Sequence, residues 1–353
     1  MEFNQLELEE ISFKLRQGQT LDDLSDLINY IITLQNLKTG TQYKLISTKK
    51  LKYYYSNINK MYINFDIPKK TGGVRTITAP DKFLKKVQRR INLILSLAFQ
   101  PNPAAHGFIE NRSIVTNSEF HVYGDYVLNI DLKDFFPSIH YSRIKAVLTF
   151  KPIQLKLDFA HLISNLCCFE GKLPQGAPTS PIITNIVSQR LDKNLMHLAH
   201  SNNCFYTRYA DDITFSSEKN IFTKEFMIKL DSIVKSEGFI INEKKTRIQD
   251  KTVRQVVTGI TVNEKLNLPR EYVRKIRAIL NNWEKDGYEK ASATFASFYP
   301  QEKGFMRNKT IPKMESVLSG KILFLGMVRG KDDEIFLRYS NKLNELINKK
   351  NGI

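Results

Sequence analysis

Apolar residues recur at helical spacing from the start of the chain: Leu6, Leu8, Ile11 and Leu15, then Leu21, Leu24, Leu27, Ile28 and Ile31. Glu7, Glu9, Glu10, Asp22, Asp23 and Asp26 take the other faces, so a helical extension over residues 1–48 is predicted. Residues 67–80 read as a hairpin turning at Gly72-Gly73, with cations on its arms. A short apolar strand, 126–130, runs into Asp131, and the chain then turns off through Phe135, Phe136 and Pro137. The Pro- and Gly-rich stretch 173–181 opens a helix whose stripe is Ile183, Ile186, Val187, Leu191, Leu195 and Leu198. In 205–215, aromatic and β-branched runs flank Ala210, Asp211 and Asp212, the pattern of a tight hairpin with the acids at its tip. Thr223 can cap a helix carrying Phe226, Leu230 and Val234; Gly238 ends it and a strand over 239–242 follows. The order strand, helix, strand pair, helix, strand predicts an α+β core with an antiparallel split βαβ sheet. Further helices are expected from Arg270 onward, over 318–328 and over 339–350.

Charge changes the picture. Lys and Arg number 53 against 36 Asp and Glu, a formal net charge of +17, which calls for a polyanionic partner such as nucleic acid. From Lys49 to Arg90 the cations are interleaved with Tyr53, Tyr54, Tyr55 and Tyr62, a composition suited to tracking a phosphate backbone with stacking platforms. Arg270, Arg274 and Arg277 fall on one helix face and can lie along a duplex groove. Cys167, Cys168 and Cys204 have no metal-ligand spacing and read as reduced thiols. No apolar run approaches the ~20 residues that span a bilayer, and no signal peptide is evident, so a soluble cytoplasmic protein without a membrane partner is expected.

Adjacent strand residues point to opposite faces, so Asp211 and Asp212 reach one ion cluster only if their turn rotates them together. With Asp131 ending a neighbouring strand, three carboxylates can gather around two divalent cations, one activating a hydroxyl and the other stabilising a leaving pyrophosphate.

The motifs Tyr209-Ala210-Asp211-Asp212, Asp131 in its Asn-Ile-Asp-Leu-Lys-Asp-Phe-Phe setting and Leu173-Pro174-Gln175-Gly176 stand in the order of a reverse transcriptase, which the chain resembles over roughly residues 60 to 280. Asn117-Ser118-Glu119-Phe120-His121 is similar to the Asn-Ala-x-x-His box of retron enzymes, with Ser118 for Ala, and Val257-Thr258-Gly259 to their second signature. The resemblance implies an RNA-directed DNA polymerase of right-hand fold with an N-terminal helical extension (1–48), fingers (49–125 and 141–178), palm (126–140 and 179–262) and helical thumb (263–353). It implies that Asp131, Asp211 and Asp212 are catalytic and, with Leu132, bind two Mg²⁺ ions. Lys69, Arg75, Phe136, Gln175 and Gly176 would contact the incoming dNTP, Phe136 as a steric gate against a 2′-OH. Asn117, His121, Arg270, Arg274 and Arg277 would contact RNA or DNA. Residues alone leave His106 and His121 in packing or hydrogen-bonding roles. The implied partners are dNTPs, a non-coding RNA that is both template and primer, the branched DNA begun from its internal guanosine 2′-OH, and an effector protein in phage defence. Two alternatives stand beside this: another bacterial reverse transcriptase, of the group II intron or diversity-generating kind, and a non-catalytic RNA-binding scaffold with the same fold.

Overall fold

The helical start forms where its apolar spacing places it. In the computed structural model, which describes residues 3–68, 72–303 and 310–352, α1 (Gln5–Gln17) and α2 (Leu21–Thr39) each begin at a capping box, Asn4 with Glu7 and Thr20 with Asp23. Their stripes, including Ile11, Leu15, Leu24, Leu27 and Ile28, are buried in one core with α3 (Thr48–Ser56). Next come β1 (Tyr62–Pro68) and β2 (Val74–Pro80), paired antiparallel throughout. Gly72 and Gly73 both take positive φ, as the reversal requires. Lys69 and Lys70 lie outside the described residues. α4 (Lys82–Ala98), capped by Asp81, receives α1 and α2 on Leu84, Val87, Ile91 and Ile94.

The central sheet is assembled from distant segments. After α5 (Ile114–Glu119) come β3 (Tyr126–Asp131), α6 (Tyr141–Thr149), α7 (Leu157–Cys167), α8 (Ser180–Val187), α9 (Gln189–Ser201), β4 (Phe205–Tyr209), β5 (Asp212–Ser217), α10 (Lys224–Ser236) and β6 (Arg247–Asp250). The strand order is β4-β5-β3-β6, every pair antiparallel. Thr223 caps α10 as expected, accepting from the Phe226 amide.

Two expectations are corrected. The single helix expected across 183–198 is two, because Ser188 relaxes to φ −84°, ψ 2° between α8 and α9. The fourth strand is not 239–242. That segment runs extended beside residues just past β3, with Lys133 N bonded to Ile240 O (2.8 Å) and Asn242 N to Asp131 O (2.8 Å). A 3₁₀ turn at Glu243–Lys245 then re-aims the chain so that β6 pairs with β3 itself.

β7 (Val256–Val257) and β8 (Ile260–Thr261) form a small hairpin whose two-residue turn, Thr258 and Gly259, has positive φ at both positions. α11 (Arg270–Asp286), α12 (Tyr288–Lys303), α13 (Met314–Arg329) and α14 (Glu334–Asn351) surround a second core of Ile276, Leu280, Trp283, Leu318, Ile322 and Leu325, which Val115 of α5 joins. Among the described residues no helix is long and apolar enough to cross a membrane.

Candidate active site

The register of the sheet brings the three aspartates together. Asp131, the last residue of β3, pairs directly with Asp212, the first of β5. Asp211 sits in the two-residue turn before it, and its carbonyl accepts from the Leu132 amide at 3.0 Å. Ala210 enters that turn at φ 57°, a left-handed conformation that few non-glycine residues adopt, so the backbone here departs from a plain strand. The carboxylates repel one another. Burial in the cleft, then Asp211, then Asp131 push Asp212 up to about 6, although its side chain opens to solvent. Burial first, then Asp131, also raise Asp211, against the pull of Lys245 and Arg75.

Among the described residues no three acidic, histidine or cysteine side chains form a ready-made ion site. Asp131 instead accepts from Lys245 Nζ (2.8 Å) and Asn242 Nδ2 (2.9 Å). The donor set still fits a hard divalent cation: adjoining carboxylates at facing strand ends whose mutual repulsion a cation would relieve.

Other segments that the sequence singles out are tied to one another or lie within reach of the carboxylates. Arg75, exposed on β2, is near enough for its charge to act on Asp211. The Gln175 carbonyl accepts from Thr78 N at 3.0 Å, tying the 173–181 loop to the same hairpin. A Cβ on Gly176 would meet Ile77 Cγ2 and Thr78 O at 2.8 Å, so only glycine allows this approach. Phe135 is buried against Phe239, whereas Phe136, the neighbour singled out by its motif position, is only half-buried and faces Phe108. Arg270, Arg274 and Arg277 are exposed on α11 and line a groove of about 270 Å³ with Arg329.

Asn117 and His121, expected to contact RNA or DNA, are both buried, at 1% and 0% exposure. His121 bridges Ser216 Oγ and Thr207 Oγ1, each at 2.7 Å. Burial, then the neighbouring His106, push its imidazole down to about 3. A histidine held neutral in the fold lends stability that is complete above its unfolded value near 6.5 and is lost as pH falls below it. Wild-type protein should therefore lose roughly 1.5 kcal/mol between pH 7.5 and 5.5 relative to His121→Gln, read as converging urea midpoints.

The residues under the hairpin carry no sequence signal. Arg208 is 1% exposed, its Nε 2.6 Å from Asp192 Oδ1 and its Nη2 2.7 Å from Oδ2. Its Nη1 donates to the Ala210 carbonyl (3.1 Å), and Tyr206 Oη donates to Asp192 (2.7 Å). Gly107 lies beneath the turn, where a Cβ would stand 2.5 Å from Ala210 N.

Comparison with known proteins bears on this geometry. The family described as "Reverse transcriptase (RNA-dependent DNA polymerase)" matches residues 67–262. The retron Mx65 reverse transcriptase of Myxococcus xanthus is 38% identical over 241 residues, covering 62% of this chain and 55% of that protein. The retron Mx162 reverse transcriptase of the same organism is 38% identical over 258 residues, covering 64% and 53%. The retron Ec86 reverse transcriptase of Escherichia coli is 32% identical over 255 residues, covering 70% and 78%. The chain thus spans about half the length of the two Myxococcus relatives.

Proposed function

The chain belongs to the reverse transcriptase family, with a right-hand polymerase fold, and from that premise we propose that it is an RNA-directed DNA polymerase of the retron kind. The observation that carries the reading is the in-register pairing of Asp131 with Asp212, beside the bond from Leu132 N to Asp211 O, in a cavity that Lys244, Lys245 and Arg247 also line. We propose the same division, into extension (1–48), fingers (49–125 and 141–178), palm (126–140 and 179–262) and thumb (263–353). Asp131, Asp211 and Asp212, with Leu132, would hold two Mg²⁺ ions. Bound there, such ions supply activation of a primer hydroxyl and charge neutralisation on the departing pyrophosphate.

The chain's own groups set substrate and orientation. Lys245, which lies 2.8 Å from Asp131 Oδ2, would supply a positive charge for the triphosphate once Asp131 held a cation. Arg75 meets the triphosphate from the hairpin side. Gly176 leaves the loop backbone free to approach the nucleotide, beside Gln175. Phe136 packs under the sugar, where a 2′-OH has no room. The arginines of α11 follow the backbone of the template–product duplex. We also propose that a structured non-coding RNA serves as template and primer and that an effector protein acts with the product.

The test is extension of an RNA template by the purified chain with dNTPs and MgCl₂. Templated DNA is expected; tight RNA binding with no extension from any primer would favour the scaffold reading instead. Phe136→Ala should raise rNTP use relative to dNTP by about tenfold to a hundredfold, since removing a steric wall forfeits the discrimination it provides. The measurement is the ratio of kcat/KM values for the two nucleotides on one template.

A further inference from the structure

α5 is tied at both ends to parts of the active cleft. Past its C-terminus, His121 Nδ1 and Nε2 reach Ser216 on β5 and Thr207 on β4, so one imidazole spans both arms of the hairpin that carries Asp211 and Asp212. Along the helix, Ser118 Oγ lies 3.0 Å from the Val257 carbonyl and 3.2 Å from Thr258 Oγ1, and Thr258 Oγ1 donates to Ile114 O at 3.3 Å. Thr258 is a β-branched residue at φ 46°, a costly conformation that persists only where neighbours over-determine it. Those neighbours are Ser118 and Ile114. The two tied elements meet in space: Asp131 and Asp212 line one cavity of about 530 Å³ with Ile114, Thr258 and Gly259.

We propose that His121 is a positioning residue that fixes the carboxylate hairpin relative to the Thr258–Gly259 turn, with α5 as the strut between them. This rests on the polymerase reading above. Main-chain pairing sets the register of a two-residue hairpin but leaves its twist soft, and Asp212 is in the last β4–β5 pair, with Tyr209, while Asp211 lies in the turn beyond it. A neutral imidazole has one donor and one acceptor at fixed directions, and hydroxyls on both arms can answer either. It therefore restrains twist where a packing side chain of similar volume would only fill space.

That contrast supplies the experiment, carried out on the full chain. His121→Leu keeps apolar volume without hydrogen bonds, whereas His121→Gln presents a donor and an acceptor side by side. The expected result is a fall in kcat of about tenfold or more for the Leu variant, in line with the cost of displacing reacting groups, and near-wild-type kcat for the Gln variant. KM for dNTP and RNA affinity should stay within about twofold in both, because neither contact is made by His121 itself. Adding Ser216→Ala to His121→Leu should lower kcat no further. Equal kcat in the Leu and Gln variants, or a change confined to KM, would overturn the proposal. If the Leu variant does not fold, Ser216→Ala decides alone: reduced kcat supports the strut and unchanged kcat refutes it. Hydrogen exchange gives a readout independent of synthesis, since amides of residues 205–217 should exchange faster with Leu than with Gln. An inactive wild type would sink the polymerase reading, while the exchange result would still judge the strut.

Discussion

Asp211→Asn should abolish templated dNTP incorporation, by about a thousandfold or more, and leave RNA affinity within about twofold of wild type. Each ion in a two-metal site contributes several kcal/mol to stabilising the transition state, and a loss of about 4 kcal/mol is about a thousandfold in rate. The substitution changes charge and almost nothing in shape. The turn itself should survive, because Asp211 contributes its backbone carbonyl to Leu132 and no side-chain hydrogen bond that the fold depends on. Stability supplies a second sign. Burial and the neighbouring Asp131 raise Asp211 above the usual carboxylate range, so in the metal-free protein near pH 7 its charge opposes folding. The Asn variant should then melt no lower than wild type without divalent ions, and MgCl₂ should raise the wild-type Tm more than the variant's. Primer extension and thermal unfolding on the same preparations check both. Loss of synthesis together with a lowered Tm in the absence of metal would assign Asp211 to structure rather than to chemistry.

What could be read from the sequence was what local chemistry decides. Capping residues at Asn4, Thr20 and Thr223, the stripes of α1, α2 and α10, and the spacing that exposes Arg270, Arg274 and Arg277 depend on neighbours within a turn or two of the chain. The hairpin tip was legible because aromatic and β-branched runs on both sides left only Ala210 and the acids to turn. The strand at 239–242 was misplaced because its apolar run suits a strand wherever it pairs. That β6 and not this run pairs along β3 is set by the 3₁₀ turn at Glu243–Lys245, which has no distinctive pattern. A hydrogen-bonding role for His121 was open to the sequence, but its partners Thr207 and Ser216 lie 86 and 95 residues away and nothing local names them. The same holds for Lys245 on Asp131, a pairing across 114 residues.

Asp192→Ala should destabilise the fold by about 3–5 kcal/mol, because it leaves the Arg208 guanidinium buried without its counter-ion. Burial opposes the charge on Arg208, and the two carboxylate oxygens of Asp192 more than offset it, so the arginine stays ionised in the fold. Tyr206 Oη loses its acceptor in the same substitution. Typical domains have about 5–15 kcal/mol of stability in all, so the urea midpoint should drop by about a fifth or more. Activity should fall with it, even in the fraction that remains folded, since Arg208 Nη1 holds the Ala210 carbonyl at the base of the carboxylate turn. The pair itself need not be net stabilising. Replacing both members by apolar residues, as in Asp192→Leu with Arg208→Met, should recover much of the lost stability, because no buried charge is then left unpaired. It should not recover synthesis, because a methionine cannot donate to Ala210. Recovery of both together would show that the ion pair serves packing alone. Recovery of stability without synthesis would place Arg208 among the residues that aim Asp211 and Asp212, holding the turn from β4 with Asp192 of α9 behind it, as His121 holds its arms from just past α5.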